Sequence, residues 1–324
     1  METNIKDYQS AVVGVLARDY FPEENGYAFR TDTVRKNNGV ILHSINIMEK
    51  DSNVAPTFYV DEYLDKGYEP EAAAHIIYQM YQRHKEEKRD IASNNFQKLY
   101  DFNSIKDTIC FRLINRQRNQ DMKETHPFIE INDDLMLVFY LQVDKDATCL
   151  IRNEMCNIWG LNKPAEQLYE YARENTERLH PICFHSMFDI MKTMMPEELC
   201  EDLNENDHEP PMYVLTNTDK VNGASVLFYR DGTVLDECMK EMNKKYPEIK
   251  AVYILPSSVH ETIIIPSLSD ERANNIDENA LASMVREVNR SNVSASEFLS
   301  DNVFYYQTGE PIKQLTHSEI QIVR

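Results

Sequence analysis

The residues best suited to chemistry gather in three places. In Ser257-Ser258-Val259-His260-Glu261, a hydroxyl stands two residues from an imidazole and a carboxylate follows. Side chains at i and i+2 of a strand share a face. A strand over Val259–Ile265 therefore predicts Ser258 and His260 side by side, the minimum for nucleophilic catalysis. A hydrolase or transferase using Ser258, His260 and Glu261 is one reading. The Gly-x-Ser-x-Gly turn of a nucleophile elbow is missing. Hydroxyls capping a turn, beside a histidine satisfied by a carboxylate, explain the same residues and are the favoured reading. The second place is His180-Pro181-Ile182-Cys183-Phe184-His185, with Cys200 and His208 downstream. These are ligand types for zinc, but structural zinc sites pair close spacings on both sides and the second half is missing. No metal and no cofactor is therefore expected. The third is the set Asn217, Asn222, Gly223 and Ser225, which reads as a hairpin turn needing positive φ, or else as a place where a ligand nears backbone amides. No Walker loop or Rossmann fingerprint occurs.

The chain that must position these groups has 324 residues, with 34 Lys and Arg against 54 Asp and Glu and a net charge of −20. That length predicts about two domains. Apolar residues make up 42%, too many for global disorder. The acidic field disfavours binding to a phosphate backbone. It is densest at Glu197, Glu198, Glu201, Asp202, Glu205, Asp207 and Glu209. That stretch reads as a solvated linker or, in the sharper version, as a docking site for a partner with a basic surface. Three arginines, Arg112, Arg116 and Arg118, make the one locally basic segment; they either grip an anion or offset nearby carboxylates, the second being favoured. The first residues lack the basic start and apolar core of a signal peptide. No apolar run reaches the ~20 residues of a membrane span. A cytoplasmic protein is expected. The six cysteines lie mostly among apolar neighbours and read as small buried hydrophobes.

Periodicity predicts a small N-terminal domain over 1–95. A helix carrying Ile5, Tyr8, Val12, Val15 and Leu16 leads to a hairpin of Tyr27–Thr33 and Val40–Met48 turning at Asn38-Gly39, then to a helix with Ala73, Ile76, Ile77, Met80 and Tyr81 inward. A middle block over 103–195 is expected to begin with a helix facing Ile105, Ile109, Cys110 and Leu113 inward. It continues through a buried strand at Leu135–Val143, a partner at Thr148–Ile151, and a helix with Ala165, Leu168, Ala172 and Leu179 inward. After the acidic linker, 196–210, a C-terminal ββαββα block is expected over 211–308. Its strands are Met212–Leu215, Ser225–Tyr229, Ala251–Leu255 and Val259–Ile265, followed by a short helix opened by Ser294 and an edge strand at Val303–Tyr306. The tail, 309–324, is expected to be loose. The fold class is α+β, with mostly antiparallel strand pairs backed by helices.

The strings Arg112-Leu-Ile-Asn115, Cys149-Leu-Ile-Arg-Asn-Glu-Met155, Met212-Tyr-Val-Leu-Thr-Asn217, Asn222-Gly-Ala-Ser225 and Tyr253-Ile-Leu-Pro-Ser-Ser-Val-His-Glu261 resemble the uncharacterised bacterial family known as domain of unknown function 5688. The resemblance covers nearly the whole chain. It implies a bacterial cytoplasmic protein and brings no activity and no catalytic residues. With no catalytic motif and a strongly acidic surface, the leading expectation is a non-enzymatic interaction protein.

Overall fold

The computed structural model describes residues 4–50, 55–87, 96–144, 147–195, 211–246, 249–267 and 278–315. The acidic stretch 197–209, with Cys200 and His208, lies outside the described residues. The chain divides into two compact units, 1–100 and 101–324. Their architecture is α+β, and every strand pair described is antiparallel.

In the first unit, Asn4 caps the helix Ile5–Val15 by accepting the Lys6 amide at 3.0 Å. Strands β1 (Tyr27–Arg35) and β2 (Ile41–Glu49) form the expected hairpin. Asn38 and Gly39 both take positive φ (60° and 71°) in a three-residue loop, Asn37–Gly39, closed by the Lys36 N–H donating to the Val40 carbonyl at 2.7 Å. A third strand, β3 (Thr57–Tyr59), adds to β2. Helix Pro70–Glu87 closes the unit, burying Ala73, Ala74, Ile77 and Tyr81 against Val12, Phe21, Ile45 and Phe58. Its apolar stripe is rotated from the expected one, and Met80 is exposed.

The second unit holds two sheets. Strands β4 (Ile109–Asn115), β5 (Phe128–Glu130), β6 (Leu135–Asp144) and β7 (Ala147–Leu150) form the first. Here β4 lines one side of β6, and β5 and β7 share the other. The second contains β8 (Ile182–Ser186), β9 (Tyr213–Asn217), β10 (Ala251–Leu255), β11 (Thr262–Ser267), β12 (Phe304–Gln307) and β13 (Lys313–Gln314), in the order β13-β12-β10-β11-β9-β8.

Four expectations are corrected. The helix meant to carry Ile105 to Leu113 stops at Ile105, and β4 follows. Six of its seven side chains are buried, so both faces are covered and pairing with β6 outweighs the local helical spacing. Ser225–Tyr229 is not a strand but part of a 3-10 run, Gly223–Gly232, broken by left-handed Arg230 and Asp231. The last β-strand pair starts at Thr262 rather than Val259, because residues 257–259 bond instead to 297–299. Ser294 opens a turn rather than a helix. The tail also returns: β13 pairs with β12, which makes β12 an inner strand.

Polar residues close the outer edge of β4. Phe111 N–H donates to Thr176 Oγ1 at 3.1 Å, and Leu113 N–H donates to Ser225 Oγ at 3.0 Å. Asn175 Nδ2 donates to the Ile109 carbonyl at 3.1 Å. Asn175 and Thr176 sit on the buried face of helix Pro164–Leu179 for this reason, a place apolar periodicity assigns to hydrophobes.

Candidate functional site

The opposite situation holds at β8, the end strand of the six-stranded sheet. Met187 N–H bonds the Met212 carbonyl and Thr218 N–H bonds the Pro181 carbonyl. The ladder between them therefore uses the backbone of Cys183 and His185 toward β9. The alternate groups, the N–H and C=O of Ile182, Phe184 and Ser186, point away from the sheet. Among the described residues no strand lies beyond them.

A cleft flanks each face of this edge. The larger, about 470 Å³, lies between the sheet and helix Met187–Met194. Val214 and Ile263 line its apolar part with Met187 and Ile190, and Cys183, His185, Asp189, Thr216, Lys220 and Glu261 supply the polar groups. The smaller, about 340 Å³, opens on the other face, where Phe184 and Ser186 meet Tyr213, Glu241, Lys244 and Lys245; His185 and Asp189 line both clefts. Phe184 and Tyr213 stack there with ring centroids 5.1 Å apart. The alternation of β8 side chains thus sends Cys183 toward the larger cleft and Phe184 and Ser186 toward the smaller, with His185 at the rim of both. Asn217 holds the loop that carries Lys220: its Nδ2 donates to the Val221 carbonyl at 2.8 Å and its Oδ1 accepts the Val221 amide at 3.3 Å.

The structure separates the sequence candidates. Cys183, His185 and Glu261 share the larger cleft. His180 is buried elsewhere, with Nδ1 2.7 Å from Asp219 Oδ2 and Nε2 3.1 Å from the Tyr140 hydroxyl. Burial raises the Tyr140 phenol, so it stays protonated. Among the described residues, no three His, Cys, Asp or Glu side chains come together to hold a metal ion.

Ser258 and His260 are close, but each is engaged with backbone. Ser258 Oγ accepts the His260 amide at 3.1 Å, and His260 Nδ1 accepts the Asn222 amide at 3.3 Å. The other ring nitrogen, Nε2, lies 3.4 Å from Glu297 Oε1. The His260 carbonyl takes the Thr216 hydroxyl at 2.7 Å, and the Val259 carbonyl takes the Ala224 amide at 3.1 Å. Gly223 belongs to this lattice. Left-handed φ falls on Asn222, at 52°, while a Cβ on Gly223 would collide with Thr216 Oγ1 and the His260 carbonyl. Glycine is needed here for close packing within the chain.

Cys110, Cys156 and Cys238 are buried, and Cys149 and Cys183 are half-buried. Burial pushes the Cys110 and Cys238 thiols up to about 12 and Cys156 to about 11. Sequence reasoning missed Asp189, Thr216 and Lys220 of the cleft, and the free backbone of β8. The signal available was Ile182-Cys-Phe-His-Ser186 after Pro181, a short strand-forming run read only for its metal ligands.

Among the described residues, no helix is long and apolar enough to cross a membrane. No curated protein and no solved structure matches the chain. A family model does match, over residues 6–308, and the chain therefore belongs to the family of unknown function DUF5688.

Proposed function

We propose that the chain is a non-enzymatic binding protein that captures an extended basic segment of a partner protein along the outer edge of β8. The observation that carries this reading is the open edge with a cleft on each face. In strand addition, main-chain hydrogen bonds supply affinity and pockets for alternate side chains supply selectivity. An added strand would use the outward N–H and C=O groups of Ile182, Phe184 and Ser186, and its side chains would alternate between the two clefts. Asp189 and Glu261 outnumber Lys220 in the larger cleft, and the chain's net charge of −20 favours basic residues on the partner there; Lys244 and Lys245 balance Asp189 and Glu241 in the smaller cleft. The acidic segment 197–209 contributes to the same net charge. The Ser258–His260 geometry supports binding over hydrolysis, since each side chain already satisfies a backbone amide.

The test is selection from a random peptide library against the full chain. Enriched peptides should alternate in pattern, carry Lys or Arg, and bind less tightly as salt rises. Ser186 sits at φ −62°, ψ 135°, which proline accepts. Ser186→Pro therefore removes one outward donor with little change of fold, and should weaken these peptides by about tenfold, the worth of one well-made hydrogen bond. Peptides indifferent to Ser186→Pro, or no enrichment, would overturn the proposal.

A further inference from the structure

The three arginines of 112–118 end in three different settings. Arg116 pairs with Glu130 at 3.0 Å and Asp133 at 3.2 Å, as the charge-offset reading expects. Arg118 lies over the Phe298 ring, 3.5 Å from its centroid. Arg112 has neither kind of partner. It stands mid-strand in β4, opposite Val138 of β6, so both side chains rise from the same sheet face. Around that face packs an apolar cluster of Ile114, Met136 and Val138 with Met122, Phe128 and Leu150. Arg112 Nε is buried without a hydrogen-bond partner. Among the described residues, no carboxylate pairs with the guanidinium, although the chain holds 54 of them.

Burying a cation without a counter-charge is costly, typically several kcal/mol. The neighbouring ionisable groups do not repay it. Tyr140 is protonated. The His126 imidazole is depressed by burial first and then by Arg152; a backbone hydrogen bond to Met122 acts the other way, Arg112 lowers it further, and Glu154 opposes weakly. Geometry brings these groups together: Phe128 and Leu150 pair with Val138 and Tyr140 on the same side of β6, and Asn153 Nδ2 donates to the Glu124 carbonyl at 3.1 Å, which ties the turn carrying His126 to the one carrying Arg152 beside the row of Arg112 and Val138. Arg112 retains partial exposure, so a small ion can reach it.

We propose that Arg112, with Arg152 and His126 beside it, forms a binding site for the phosphate group of a small metabolite. A guanidinium presents its donors in a fork that fits two oxygens of phosphate or carboxylate. Two such cations match a dianion better than a monoanion, which selects phosphate over carboxylate. The apolar surround strengthens the contact by lowering the local dielectric. This site is distinct from the β8 edge and does not depend on it.

The experiment is thermal unfolding of the full chain with inorganic phosphate, at ionic strength held constant with chloride, and with acetate in a parallel arm. Phosphorus-31 line broadening of the same phosphate reports binding directly. Phosphate should raise the melting temperature saturably and broaden its resonance, and acetate should do neither at equal concentration. Arg112→Met should abolish both effects while being at least as stable as the parent in phosphate-free buffer, because it removes an unpaired buried charge. Arg152→Gln, an exposed change that keeps the fold, should weaken phosphate about three- to tenfold. If Arg112→Met does not fold, Arg152→Gln decides the question. An equal phosphate response in either variant, an equal response to acetate, or no response in the parent would overturn the proposal.

Discussion

Two sheet edges in the second unit solve the same problem in opposite ways. An end strand always presents a row of unpaired N–H and C=O groups. At β4 that row is closed: Thr176, Ser225 and Asn175 reach in from a helix and a 3-10 segment and satisfy it one group at a time. At β8 the same kind of row faces outward between two clefts. The contrast teaches that this chain has the means to hide a strand edge and applies them at β4, whereas among the described residues none reach the outward groups of β8. The edge of β8, open among the described residues, is then a feature to be explained by what it does.

The largest effect should come from Gly223. This residue opens the 3-10 segment whose Ser225 caps β4, and its own site is filled by Thr216 Oγ1 and the His260 carbonyl. Gly223→Ala forces a backbone carbonyl to move. It should cost about 3 kcal/mol in urea unfolding, at the upper end of overpacking costs. It should also release the amide of Leu113 to hydrogen exchange, since the cap and the clash are two residues apart. A loss under 1 kcal/mol would mean that the closed edge does not depend on this packing.

The next effect tests the cap itself. Thr176→Val keeps shape and removes the acceptor for Phe111 N–H, leaving a buried donor bare. The expected cost is about 1–3 kcal/mol, the price of an unsatisfied buried group. Ser225→Ala should cost a similar amount through Leu113. The two residues bond neighbouring rungs of the same strand, so their energies should couple in a double-mutant cycle. Strict additivity would show that the rungs act separately.

The cysteines sharpen the contrast without altering stability. Cys110 lies on the closed strand and Cys183 on the open one. The Cys110 thiol, pushed up to about 12 by burial, is almost wholly protonated at pH 8 and out of reach. Cys183 lines the larger cleft. Alkylation of the native chain, read by mass spectrometry, should mark Cys183 well before Cys110, Cys156 or Cys238. Simultaneous labelling would show that the whole unit opens together.

These features were legible in the sequence to unequal degrees, for a physical reason. The Asn38-Gly39 hairpin and the buried strand at 135–143 could be read because the information is local: two turn residues, or one unbroken apolar run. The segment 105–113 was misread because its apolar residues fit a helical stripe, and only pairing with β6 decides between the two. The caps were invisible. Thr176 and Ser225 lie 65 and 112 residues from the amides they satisfy, and nothing local marks a threonine on a helix as serving a distant strand. The site was half legible. Cys183, His185 and Glu261 were singled out for their chemistry and do line one cleft. The grouping the sequence suggested, His180 with Cys183 and His185, fails because His180 points to Asp219 and Tyr140 instead.

The smallest expected effect is the most discriminating. Ser186→Pro deletes an outward N–H from the open edge at a residue whose backbone already suits proline. On stability it should register within about 1 kcal/mol of the parent, because no group inside the protein loses a partner. A proline at Phe111 or Leu113 of the closed edge would delete a donor that the protein itself uses, and should be far more damaging. Hydrogen exchange gives the same comparison without mutation: the amides of Phe184 and Ser186 should exchange by local fluctuation, whereas those of Phe111 and Leu113 should await global unfolding. If Ser186→Pro proved as costly as a change at the capped strand, the amide at 186 would have an internal acceptor. The two edges would then be equivalent, and strand addition at β8 would lose its foundation.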